Sequence, residues 1–242
     1  FDIILDSKYY GIVNKFLNKK TIIDLYLGRY FGIESNDKRL NDDTKLIKCY
    51  VSQQKGFIKY IDKKFIKKEY NFFKVITTEA AFKGNSGFGN TFIGSQNEVH
   101  TGSYISFKVL NENEAKSLLS YMKCKLPNFM LSLRKISQHV NEETCKWIPL
   151  LPLNKEWNDE KVYEYFRLSK EEIKLIKETK INGYKDLISD NKLNKKSNNK
   201  IKNEDDLIKE LNNIIDSDDE IEIKLETKKS KPKSKKKNLI TK

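Results

Sequence analysis

Arginine is nearly missing from this chain of 242 residues: Arg29, Arg39, Arg134 and Arg167 stand against 43 lysines. Cysteine is sparse, with Cys49, Cys124 and Cys145 odd in number and far apart. That pattern argues against a disulfide framework and makes a reducing, cytoplasmic setting the default. No run approaches the roughly 18 apolar residues of a membrane-spanning helix, and no basic-then-apolar leader opens the chain. His100, His139 and the three cysteines show no Cys-x-x-Cys or His-x-x-x-His spacing, so no metal site is expected. There is no Gly-Lys-Ser/Thr, which excludes a P-loop in the stretch Lys83-Gly-Asn-Ser-Gly-Phe-Gly-Asn90. The chain begins at Phe1 rather than Met, which raises the expectation of a segment of a longer protein or of a separate subunit.

What is present is charge of one sign. The net charge is +13, and a basic balance favours a polyanionic partner, nucleic acid or an anionic surface. The lysine excess, beside 23 asparagines, also fits the codon bias of an AT-rich genome. All 13 Phe, both Trp and all 12 Tyr lie before residue 185, so the packed domain is expected over 1–184. The Lys-, Asn-, Asp- and Glu-rich remainder, 185–242, cannot bury enough apolar surface to offset its ordering entropy and is expected to be disordered. Within it, Glu204–Ile215 has the spacing of one short helix, and Lys231–Lys237 resembles a nuclear-localisation run.

Val, Ile, Phe and Tyr between turn residues predict strands at 47–51, 56–61 and 72–77, and another at 104–110. Residues 9–17 read as a short helix, 21–27 as either strand or helix, and 83–103 as a glycine-rich loop. From Ala115 to Ile136 the apolar residues recur on one helical arc, with Asn111 and Glu114 placed to cap its start. Pro127 predicts a kink or two helices in tandem. Asn158 and Ser169 each cap a further short helix. The fold class that follows is α/β, a mixed sheet with packed helices, plus a small C-terminal helical hairpin. Trp147 and Trp157 are expected as core anchors, and Gln138 and His139 as supports for a helix end. The stretch 55–68 interleaves Lys59, Lys63, Lys64, Lys67 and Lys68 with Phe57, Tyr60 and Phe65, a pattern that suits a nucleic-acid surface or a solvated strand face equally. No catalytic constellation emerges.

Several segments, in order, resemble a known family. They are Gly28-Arg-Tyr-Phe-Gly-Ile33 with Asn36-Asp-Lys38, Lys48-Cys-Tyr-Val51, Gly56-Phe-Ile-Lys-Tyr-Ile61, Lys74-Val-Ile76 and Ala80-Ala81. Gly102-Ser-Tyr-Ile105, Glu114-Ala115 and Leu119-Ser-Tyr-Met122 follow, then the most specific pair, Phe129-Met-Leu-Ser-Leu-Arg-Lys-Ile-Ser-Gln138 and Trp147-Ile-Pro-Leu150. Glu156-Trp-Asn-Asp-Glu-Lys-Val-Tyr163 and Leu168-Ser-Lys-Glu-Glu-Ile173 close the series. Over roughly residues 20–180 this resembles the C-terminal target-recognition region of adenine-specific DNA methyltransferases of Type II restriction–modification systems, including fused methylase–endonuclease forms. The resemblance implies a fold like a target-recognition domain, a double-stranded DNA partner, and a methyltransferase catalytic core that binds S-adenosylmethionine. The family's Asn-Pro-Pro-Tyr loop is not in this sequence, so the chain is expected to bind no cofactor and to be inactive alone. Lys59, Lys74, Lys83, Arg134 and Lys135 are then the candidates for phosphate contacts, and Asn85, Asn90, Gln96 and Asn97 for base edges. A scaffold subunit that binds protein and no specific DNA is the alternative.

Overall fold

The computed structural model describes residues 6–80 and 85–184. The predicted tail, its short helix and Lys83 lie outside them.

The fold is mixed α and β. A 3-10 turn at Ser7–Tyr9 leads into α1 (Tyr10–Asn14), and a second at Ile22–Leu25 runs into β1 (Tyr26–Gly28). That settles the ambiguous stretch 21–27 as a tight turn followed by a short strand. Four strands form one sheet: β1, β4 (Phe73–Thr78), β5 (Thr91–Gly94) and β7 (Tyr104–Val109), in the order β1-β7-β4-β5. Its neighbours are all antiparallel, with β4 and β7 in register from Phe73↔Val109 to Thr78↔Tyr104. A second sheet places β2 (Ile47–Tyr50) between antiparallel β3 (Ile58–Ile61) and parallel β6 (Glu98–His100). The glycine-rich stretch 83–103 was expected to be loop, yet it carries β5 and β6. Gly94 explains the misreading: a Cβ there would meet the Ile76 side chain at 2.5 Å and Lys74 Cγ at 3.0 Å. Here the glycine serves close packing inside a strand rather than a turn.

Val75, Ile105, Phe107 and Val109 face the large core with the helices. The other face of the same sheet, through Ile76, Phe92 and Tyr104, packs on Tyr50, Phe57 and Ile58. Beyond β2, Cys49, Val51, Ile61 and Val99 are covered by Phe31, Ile33 and Phe72. The four-stranded sheet is therefore buried on both sides, by helices on one and the smaller sheet on the other.

The apolar arc predicted over 115–136 is two helices, α2 (Glu112–Met122) and α3 (Lys125–Arg134). The break falls at Lys123 and Cys124, not at Pro127. Pro127 sits in the first turn of α3, where its missing N–H leaves no bond unmade. Asn128, 2% exposed, makes the junction: its Nδ2 donates to the Met122 and Cys124 carbonyls, both at 2.8 Å. Its Oδ1 accepts from Phe88 N, also at 2.8 Å. Asp159, further along the chain, supplies the missing cap of α3 by accepting from Lys125 N at 2.6 Å. Asn111 caps α2 through Glu114 N, while the Glu114 carboxylate reaches one residue further back, to Leu110 N at 2.9 Å. After α4 (Glu142–Cys145), the helices α5 (Asp159–Tyr165) and α6 (Lys170–Glu178) form the C-terminal hairpin, capped by Asn158 and Ser169. Trp147 and Trp157 are 4% and 5% exposed, as core anchors should be. All three cysteines are buried and free.

Replacing Asn128 by Ala strands one amide and two carbonyls in the interior. Asn128→Ala is expected to lower unfolding free energy by about 3 kcal/mol, read as a shift of the urea midpoint. Gln96→Ala, on an exposed turn, should stay within about 0.5 kcal/mol.

Candidate nucleic-acid interface

At the Thr78 end of β4 the loops of both sheets converge on a cleft of about 870 Å³. The β1–β2 loop contributes Arg29, Glu34, Ser35 and Asn36, and the β2–β3 turn contributes Ser52, Gln53, Gln54 and Lys55. Thr78, Glu79, Ala80, Asn85, Gly89 and Asn90 come from the β4–β5 connection, and Gly102, Ser103 and Tyr104 from the turn into β7. Gln138, after α3, completes the wall. Six of these side chains are primary amides: Asn36, Gln53, Gln54, Asn85, Asn90 and Gln138. Each offers a donor pair and an acceptor in one plane, the set that recognises other planar donor–acceptor edges. Charges of both signs are present, Arg29 and Lys55 against Glu34 and Glu79, so the cleft is polar rather than a cationic trough.

The walls are held from behind. Tyr104, 1% exposed, donates from its hydroxyl to Val51 O at 2.9 Å, just ahead of the turn that carries Gln53 and Gln54. That turn ends on Gly56 and Phe57, both at positive φ, +88° and +65°. A left-handed phenylalanine is strained, and its ring is held between Tyr50 at 5.6 Å and Phe92 at 5.4 Å. Ser35 Oγ lies 2.8 Å from Thr101 Oγ1 and 2.6 Å from Ser103 Oγ, which ties the β1–β2 loop to the floor. Thr78 Oγ1 is buried without a hydrogen-bond partner among the described residues.

The segment 85–90 is clamped by five hydrogen bonds. Asn85 Oδ1 accepts from Gly87 N at 2.9 Å, and Asn128 accepts from Phe88 N. Lys135 Nζ donates to Gly87 O at 3.0 Å. Ser86 N donates to Asn182 O at 2.9 Å, and Asn182 N returns to Ser86 Oγ at 3.0 Å. Asn85 and Asn90 are thus presented on a braced loop.

The predicted base-edge candidates divide here. Asn85 and Asn90 line the cleft; Gln96 and Asn97 do not. The pairing of Lys74 with Gly94 and Thr77 with Thr91 puts residues 95–97 at the opposite end of the β4–β5 hairpin. The phosphate candidates need more correction. Lys74 is fully buried, and its ammonium donates to Ser95 O at 2.8 Å and Glu98 O at 2.9 Å. Burial lowers its pKa to about 8, and no phosphate can reach it. Lys135, 7% exposed, is likewise committed to Gly87, with burial lowering its pKa to about 8. Arg134 donates from Nε to Glu143 O at 2.7 Å and lies over the Trp147 ring at 4.5 Å. Lys59 is at the surface but pairs with Asp42 at 2.7 Å. None of these four lines the cleft. His139 binds Glu79 through Nδ1 at 2.9 Å rather than supporting a helix end, and the neighbouring Gln138 turns out to face the cleft. Sequence reasoning missed Arg29, Asn36, Gln53, Gln54 and Lys55 as cleft residues.

Behind Gly102, His100 is 1% exposed between the sheets. Nδ1 lies 3.0 Å from Thr101 O, a carbonyl that can only accept, so Nδ1 carries the proton and Nε2 accepts from Ser106 Oγ at 2.9 Å. Burial drives its pKa down to about 4; the Thr101 carbonyl opposes the shift and the Lys74 ammonium adds to it. No group of three or more His, Cys, Asp or Glu among the described residues is placed to hold a metal, and no helix among them is long and apolar enough to cross a membrane.

The neutral, buried imidazole fixes a sign. Above pH about 6.5 both folded and unfolded chains hold His100 neutral. As pH falls towards 4, the unfolded chain takes up the proton and the folded one does not, so stability is lost by up to about 3 kcal/mol. Urea midpoints between pH 7.5 and 4.5 should show this loss, and His100→Gln should flatten it.

Comparison with protein-family models, with curated proteins and with solved structures finds no match to this chain.

Proposed function

We propose that this chain is the DNA-reading portion of a site-specific adenine methyltransferase of the restriction–modification kind. In this reading it positions duplex DNA for a catalytic core that is not part of the chain and that carries S-adenosylmethionine. The observation that supports it best is the convergence of six amide side chains with Arg29 and Lys55 on the loops of one cleft. Asn and Gln pair bidentately with adenine in the major groove, and loops on a rigid two-sheet frame are where sequence-reading groups are carried. The resemblance of the segments over 20–180 points to the same activity. The phosphate contacts are reassigned: exposed Lys55, Lys63, Lys67 and Lys68 replace Lys74 and Lys135, which hold the fold. Three buried free thiols suit a reducing, cytoplasmic compartment.

Fluorescence anisotropy of the full chain with labelled duplex tests this reading. Affinity should fall steeply between about 50 and 200 mM salt. The double variant Gln53→Ala/Asn90→Ala should weaken binding to a preferred duplex by about tenfold or more, with an unchanged salt slope. No duplex binding at low salt would leave the protein-scaffold alternative. Binding that ignores the double variant would move the contact out of the cleft, to the lysine-rich tail.

A further inference from the structure

Arg29 is the one guanidinium on the cleft wall. In a chain that uses Lys for 43 of its 47 basic residues, two other arginines exploit the planar fork that lysine lacks. Arg39 grips both oxygens of Asp37 and lies over the Phe65 ring at 5.1 Å. Arg134 pairs its donor edge with Glu143 while stacking on Trp147. Arg29 is different, because its fork is only partly used. Nη2 reaches the two Glu34 oxygens at 3.2 and 3.1 Å, while Nη1 and Nε make no hydrogen bond among the described residues. The side chain is 52% exposed.

The loop backbone sets where this group stands. Gly28 and Gly32 bracket it at φ +64° and +62°, and Gly32 N donates to Arg29 O at 3.2 Å. Phe31 anchors the loop, 6% exposed and edge-on to His100 at 4.9 Å. The guanidinium lies against Gly102, where an added Cβ would meet Nη2 most closely, then Nε at 2.7 Å and Cζ at 2.8 Å. Gly102 is therefore the space that Arg29 fills.

Resting on the DNA-reading proposal, we infer that Arg29 reads a guanine in the recognition sequence, and that Glu34 is the counter-ion this guanine displaces. A guanidinium takes guanine O6 and N7 through two nitrogens of one edge, and either usable edge includes Nη2. Guanine, with two acceptors in line, replaces what Glu34 gives up. The other bases present at most one acceptor beside a donor or a methyl group, and leave Glu34 uncompensated. Glu34 is thus a positioning residue that sharpens discrimination by opposing every wrong base. The amides around it would read adenines, so the preferred duplex combines A·T pairs with one fixed G·C pair.

Selection of preferred duplexes from a random pool, followed by anisotropy with the full chain, tests the inference. The unaltered chain should select a sequence in which one position is held to G·C. Arg29→Ala and Arg29→Lys should both lose that restriction, at that position alone, with affinity for the selected duplex down about 5- to 150-fold. Arg29→Lys keeps the charge but not the fork, so its failure separates base reading from a phosphate contact. Glu34→Gln should bind all duplexes more tightly while accepting other bases at the same position. Gly102→Ala, which intrudes on the guanidinium, should blur that position without lowering the urea midpoint. The inference is overturned if the Arg29 variants keep the preference, or if Arg29→Lys matches the unaltered chain while Arg29→Ala weakens every duplex equally and reduces the salt slope by about one. A chain that binds duplex but selects no sequence also overturns it, and a chain that binds no duplex overturns the DNA reading beneath it.

Discussion

The cleft exists because one sheet is seated on the other, and that seating depends on a buried polar junction around Lys74 and Glu98. The Lys74 ammonium crosses from β4 to the carbonyls of Ser95 and Glu98 at the start of β6. The Glu98 carboxylate in turn accepts from Tyr50 OH at 2.9 Å, Ser95 N at 2.8 Å and Lys48 Nζ at 3.2 Å. His100, two residues on, spans to Ser106 of β7. An apolar interface alone would tolerate sliding, whereas these bonds are directional, and breaking those of Lys74 or His100 leaves a buried polar group unsatisfied. The register they impose brings the β1–β2 loop, the β2–β3 turn and the β4–β5 connection to the same end of the molecule.

The helices contribute to the same end from the other side. Asn128 closes the α2–α3 junction and, with its remaining oxygen, fixes Phe88; Lys135 fixes Gly87. A Cβ at Gly87 would stand 2.8 Å from Asn128 Oδ1, so this glycine permits the approach. Two residues that look polar and dispensable in the sequence thereby hold a loop in the cleft wall. Preorganisation of this kind reduces the entropy that binding has to offset.

Much of the fold was legible because local chemistry decides it. The strands at 47–50, 58–61, 73–78 and 104–109 carry the expected aromatic and β-branched residues, and Asn111, Asn158 and Ser169 cap the helices they were expected to cap. The failures share a cause: they depend on contacts between distant segments. Lys74 alternates along β4 as an outward residue would, but at this position the smaller sheet covers the face, so alternation led it into the interior. Gly94 resembled a loop residue because the Ile76 side chain that requires it lies on another strand. The cleft is the extreme case, assembled from five separate places in the chain with no spacing rule to link them. Arg29 left a faint signal, a rare arginine with glycines one residue before and three after, and only the fold shows what those glycines serve.

Hydrogen–deuterium exchange of the full chain, with and without a bound duplex, addresses the central claim that the cleft meets DNA. Slowed exchange on DNA addition is expected in 29–36, 52–55, 85–90 and 136–139, the loops that form the cleft. Protection confined to 191–242, or to the 62–68 turn with the cleft loops unchanged, would contradict it.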